Sequence, residues 1–98
     1  MIELKEVIRT NTYERSVEAR VQYSVKSIFI NPSHIVLIKE SINHSIKSNL
    51  LKEGKITEAQ ALSSITVSRG SNSSELMVLG SPIEIREKIS TGRSLLNG

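Results

Sequence analysis

The stretch Ser64-Ile65-Thr66-Val67-Ser68-Arg69-Gly70-Ser71-Asn72-Ser73-Ser74-Glu75-Leu76-Met77-Val78-Leu79-Gly80-Ser81-Pro82-Ile83-Glu84 decides the fold class. Ile65 and Val67 alternate with polar neighbours over 64–69. Gly70 to Ser74 supplies turn-forming residues, and Glu75 to Leu79 returns as a second strand, so the segment reads as an antiparallel hairpin. Ser81-Pro82-Ile83-Glu84 then starts a helix: serine caps the first orphan amides, proline is preorganised at the first helical position, and glutamate closes the capping box. A strand pair leading directly into a capped helix predicts an α+β domain.

C-terminal to this point, Ile85 and Ile89 lie on one helical face. A helix from Pro82 to about Ile89 is too short to stand alone and is expected to dock on the sheet. Residues 1–90 then form one domain and 91–98 a tail, with Leu95 and Leu96 available to latch back.

Upstream, Ile42, Ile46 and Leu50 recur at four-residue spacing, Gly54 breaks whatever helix they form, and Thr57-Glu58-Ala59-Gln60 has capping-box spacing for a short restart. Residues 41–62 are therefore a helical excursion. Before it, Ile35-Val36-Leu37-Ile38 is apolar on both faces and reads as a central strand, preceded by the turn Asn31-Pro32-Ser33. Arg20 to Ile30 alternates as a long second strand, with Val21, Tyr23, Val25 and Phe29 on one face and Arg20, Gln22, Ser24 and Lys26 on the other. Ile28 and Ile30 break the polar face, which predicts a barrel corner or a cover there. Residues 2–9 give a first strand with a twist or bulge near Glu6, and 10–19 a solvated hairpin loop. The sum is a small, curled or partly closed antiparallel sheet of five strands with a capped C-terminal helix. Its expected core is Leu4, Val21, Tyr23, Val25, Phe29, Val36, Ile38, Ile65, Val67, Leu76, Val78, Ile85 and Ile89.

The chain has 98 residues, 38% of them hydrophobic and 23% charged, the composition of a single globular domain. Size scaling puts its folded surface at roughly 5,600 Å². No cysteine occurs, which excludes disulfides, thiolate catalysis and cysteine-based metal sites and suits a reducing, cytoplasmic setting. The opening Met1-Ile2-Glu3-Leu4-Lys5-Glu6 alternates where a secretion signal needs an apolar run. No apolar run is long enough to span a bilayer, so no membrane association is expected. All ten acidic residues are glutamate, whereas magnesium-dependent phosphoryl-transfer sites usually draw on aspartate.

His34 and His44 are the chain's two histidines, the residue type most used for acid–base work, and Glu40 is the only acid near them in sequence, so a paired catalytic role is disfavoured against ordinary surface or core histidines. With nucleophile, base, metal and cofactor signatures all missing, the expectation is a non-enzymatic binding or regulatory module without a cofactor, acting through a protein partner. The alternative is a weak nucleic-acid-binding regulator. Its net charge of +3 permits this. Arg20 and Lys26 on one strand face, and Arg69, Gly70 and Asn72 at the hairpin tip, would contact a phosphate backbone. Thirteen isoleucines are many for one small core, so Ile28, Ile30, Ile42 and Ile46 are candidates for a homo-oligomer interface.

The order Ile28-Phe29-Ile30-Asn31-Pro32-Ser33-His34-Ile35-Val36-Leu37-Ile38, then Ile65-Thr66-Val67-Ser68-Arg69-Gly70, then Val78-Leu79-Gly80-Ser81-Pro82-Ile83-Glu84-Ile85 resembles the layout of small flagellar FlbD-like proteins and of LytTR-type DNA-binding domains. In overall style, and in the opening Met1-Ile2-Glu3-Leu4, the chain is similar to short uncharacterised proteins of tailed cyanobacterial phages. That resemblance implies a viral accessory protein and nothing about its target; a host protein is the partner expected of a binding module of that kind.

Overall fold

The computed structural model describes the backbone of residues 1–12 and 20–97, and side chains over 1–10 and 22–91. Five strands, β1 (Ile2–Thr12), β2 (Arg20–Ile30), β3 (Ile35–Glu40), β4 (Leu62–Arg69) and β5 (Asn72–Leu79), and two helices, α1 (His44–Lys52) and α2 (Pro82–Asn97), form an α+β domain. The sheet order is β2-β1-β5-β4-β3, and all four ladders are antiparallel. The sheet is open, with β2 and β3 as its edges.

Two antiparallel units build it. β1 and β2 pair along their whole length, from Ile2 opposite Ile30 to Thr12 opposite Arg20, without a register shift. β3, β4 and β5 form a meander. The units join where Glu6 of β1 faces Val78 of β5. Because every ladder is antiparallel, β2 and β3 point the same way, and the chain passes from one edge to the other through the 3-10 turn Pro32–His34. The connection from Ile30 to Ile35 spans at most about 18 Å, and less with a 3-10 turn inside it, whereas the edges of a flat five-stranded sheet lie about 19 Å apart. The sheet therefore curls towards this corner without closing.

The core changes face along the strands. On one side Ile2, Leu4, Ile30, Ile65, Val67 and Val78 pack with Ile85 of α2, joined by Ile28, Ile35, Ile38, Leu76 and Ile89. On the other side Val7, Tyr23 and Leu62 pack with Leu50 of α1 and with Ile56, joined by Val25, Ile46, Met77 and Leu79. Strand side chains alternate faces, so the odd spacings Leu4 to Val7, Val25 to Ile28 and Leu62 to Ile65 place the two clusters on opposite faces, each under its own helix.

This layering corrects several expectations. Ile28 and Ile30 are covered within the chain, and Phe29 between them is consequently turned outward, 67% exposed. β3 is an edge strand instead of a central one. Its register shifts between Ile35 and Leu37, and this bulge turns Ile35 and Ile38 inward while Val36, 63% exposed, and Leu37 face solvent. β1 carries no bulge near Glu6 and extends through Thr12, so only 13–19 of the expected loop remains, outside the described residues. The hairpin turn is Gly70-Ser71 alone, because Asn72, Ser73 and Ser74 pair with Arg69, Ser68 and Val67. Gly70 sits at φ 61, as the first position of a two-residue hairpin turn requires.

Asn43 caps α1 by accepting from the Ile46 amide at 3.2 Å, so Ile42 falls before the helix, 77% exposed. Thr57 and Gln60 do interact, Thr57 N donating to Gln60 Oε1 at 2.8 Å, but they close a single turn and no helix restarts. Ser81 caps α2 as expected, accepting from the Glu84 amide at 3.2 Å. That helix runs past Ile89 through the expected tail to Asn97; the side chains of Leu95 and Leu96, like those of Arg20 and Val21, lie outside the described residues. The total surface is 7083 Å² and the radius of gyration 15.2 Å, against about 13 Å for a compact chain of this length. Length, 55 Å along the longest axis, replaces the compact shape assumed from size alone.

Candidate binding groove

Beyond the reach of α2, on the same face of the sheet, a groove of about 450 Å³ lies between β2 and the β4–β5 hairpin. It follows from the curl: β2 turns its last residues towards β4, but β3 pairs with β4 only as far as Ile35 opposite Val67, so the sheet gapes above that pair. Ile28, Val67 and Leu76 give the groove an apolar lining, Glu6, Arg69 and Ser74 add its polar groups, and Phe29 borders it.

Edge exposure on β2 is uneven. Thr10 Oγ1 donates to the Gln22 carbonyl at 3.1 Å on the β1 side, and Lys55 Nζ donates to the Tyr23 carbonyl. On β1, Lys88 Nζ reaches the Glu3 carbonyl at 3.3 Å. Main-chain groups of successive residues in a strand point in opposite directions, so the groups of Tyr23, Val25, Ser27 and Phe29 point away from β1. Lys55 takes the first of these; those of Val25, Ser27 and Phe29 follow it along the rim of the groove. β3, the other edge, is protected by its six-residue length, its bulge and the charged pair Lys39-Glu40, all common edge-blunting devices.

Of the residues picked from sequence, Arg69 lies in the groove wall, exposed and, among the described residues, without a carboxylate within ion-pair distance. Lys26 is exposed on β2, at the register position opposite Glu6, so an acidic side chain is interleaved with these cations. Gly70 belongs to the tight turn and Asn72 to the ladder opposite Arg69, which leaves no extended loop there to cradle a phosphate. Arg20's side chain lies outside the described residues. Ile28 and Ile30 pack under α2, and Ile46, on α1 itself, packs against the cluster on the other face; of the four oligomer candidates only Ile42 faces solvent freely. His34, His44 and Glu40 are all exposed.

Phe29 is the residue that strand alternation misassigned. The signal was present in its neighbours: once Ile28 and Ile30 are buried, the residue between them must point the other way. A second cavity, about 590 Å³, opens between α1 and the β1–β2 ribbon and is lined by Arg9, Tyr23, Asn43, Asn49 and Glu75 among others. Its charges oppose each other, and Glu75 already accepts from Ser64 Oγ at 2.5 Å.

In comparisons with known proteins, no family, no curated protein and no solved structure matches this chain. No helix among the described residues is long and apolar enough to cross a membrane.

Proposed function

We propose that this chain is a non-enzymatic protein-binding module of regulatory type whose contact surface centres on Phe29 and the adjoining groove. One observation carries the reading: the only phenylalanine of the chain stands 67% exposed beside a concave, apolar-lined surface. Exposing an aromatic ring costs burial that a core position would have supplied, roughly 1.5 to 3 kcal/mol. Aromatic anchors next to pockets are where interface energy concentrates. A chain without cysteine suits a reducing compartment, and in this reading the module acts in the cytoplasm.

The test is capture from nuclease-treated lysate by the wild type and by Phe29→Ser. A partner retained by the wild type and lost by a folded Phe29→Ser protein supports the proposal; equal capture by both removes Phe29 from it. The nucleic-acid alternative rests on Lys26 and Arg69, and it predicts binding of labelled single- or double-stranded DNA that weakens steeply with salt. Glu6, between those cations, argues against it.

A further inference from the structure

We infer that the groove receives an extended peptide that adds to the edge of β2 as a further strand and places a carboxylate against Arg69. This rests on the protein-binding reading and names the chemistry of its partner. Three observations converge on it.

First, the outward main-chain groups of Val25, Ser27 and Phe29 form an edge template between two stops, the Lys55 ammonium on the Tyr23 carbonyl and the turn capped by Asn31, whose Oδ1 accepts from the Ser33 amide at 3.1 Å. A regular strand edge carrying unpaired donors and acceptors is the surface that strand addition uses. The stops limit the added strand to about five residues.

Second, the two sides of that edge differ as an added strand requires. Its side chains would alternate, one set entering the groove over Ile28, Val67 and Leu76, the other lying beside Phe29 on the opposite face. One set is buried by the groove and the other packs on the exposed ring, so apolar residues are favoured on both.

Third, the charges select the occupant. Glu6 on β1 and Arg69 on β4 both line the groove, and neither has an oppositely charged group within ion-pair distance among the described residues. Arg69, beside the hairpin turn at Gly70-Ser71, offers there a planar fork that takes a carboxylate in two hydrogen bonds, while Glu6, on the other strand pair, disfavours one near β1. The segment it fits is apolar, extended and carries a glutamate, an aspartate or a chain-terminal carboxylate at the hairpin end.

A displayed library of random seven-residue peptides, selected on the full chain, tests this. Enriched sequences should alternate apolar residues and carry a carboxylate at one end. A synthetic peptide from that set should bind the wild type at least tenfold more tightly than Arg69→Gln. N-methylation of every second peptide amide should abolish binding, methylation of the intervening ones should not, and the bound peptide should slow hydrogen exchange at Val25, Ser27 and Phe29. Ser27→Pro gives an independent check, since its outward amide makes no bond to β1: it should fold and lose the peptide. Absence of enrichment overturns the inference. So do winners indifferent to Arg69→Gln that protect Val36 and Leu37 instead, although the protein-binding reading would then survive. A wild type that is already dimeric, with Val25, Ser27 and Phe29 protected without peptide, assigns the edge to a second copy and also overturns it.

Discussion

Lys55, on the connection from α1 to β4, donates its ammonium proton to the main-chain carbonyl of Tyr23 and so closes the upper part of the β2 edge. Its other partner is Glu53, at 3.3 Å. The lysine is partly exposed, so its removal should cost only about 1 kcal/mol of stability. The larger effect is on association. Lys55→Met lengthens the open edge, and light scattering should show more self-association than in the wild type at equal concentration. An unchanged mass distribution would show that the lysine does not guard this edge.

Phe29→Ala and Val36→Ala should each alter stability by no more than about 0.5 kcal/mol, because both side chains are mostly in solvent. Leu50→Ala and Ile65→Ala, each fully buried, should cost roughly 2 to 5 kcal/mol. Urea denaturation separates the two classes. A large loss on Phe29→Ala would mean that β2 presents the opposite face.

Leu50, on α1, belongs to the cluster on one face of the sheet and Ile85, on α2, to the cluster on the other. Truncations on opposite sides of the sheet share no cavity, so the losses from Leu50→Val and Ile85→Val should add within about 0.5 kcal/mol. A coupling energy well above that in the double-mutant cycle would contradict two separate layers.

Ser63 is fully buried and its hydroxyl donates to the Gly80 carbonyl at 2.6 Å, joining β4 to the bend before α2. Ser63→Ala strands that carbonyl and should cost about 1 to 3 kcal/mol. Ser63→Thr keeps the donor but adds a methyl group, so it should recover the loss only where the packing yields. Thermal unfolding of the two variants reports the difference. Equal stability of Ser63→Ala and wild type would remove the bond from the account.

The hairpin 64–79 and the capped start of α2 were legible because their determinants are local: alternation, a glycine able to take positive φ, and a serine followed by proline. The face switch was not. Alternation identifies the residues that share a side of a strand, but the side that is covered at each end depends on where α1 and α2 land, far away in sequence. Phe29 and Val36 were misread for this reason. Ile35 to Ile38 reads as doubly covered because all four residues are apolar; a bulge, invisible in composition, brings Ile35 and Ile38 to the covered side and leaves Val36 and Leu37 outside. At the groove, the sequence marks Arg69 as the cation of the hairpin tip. The open edge beside it arises from the sheet order, which no single segment encodes.

The junction of the two halves at Glu6 and Val78 also orders the events of folding. Pairings within each half close shorter loops, the longest being the 41–61 connection between β3 and β4, whereas this seam joins residues far apart in the chain and costs more chain entropy to form. The ribbon and the meander should therefore take shape early and separately, and the seam should zip last and open first. Because the groove spans that seam, its width would follow the rocking of one half against the other, and an occupant bridging both walls would act as a clasp.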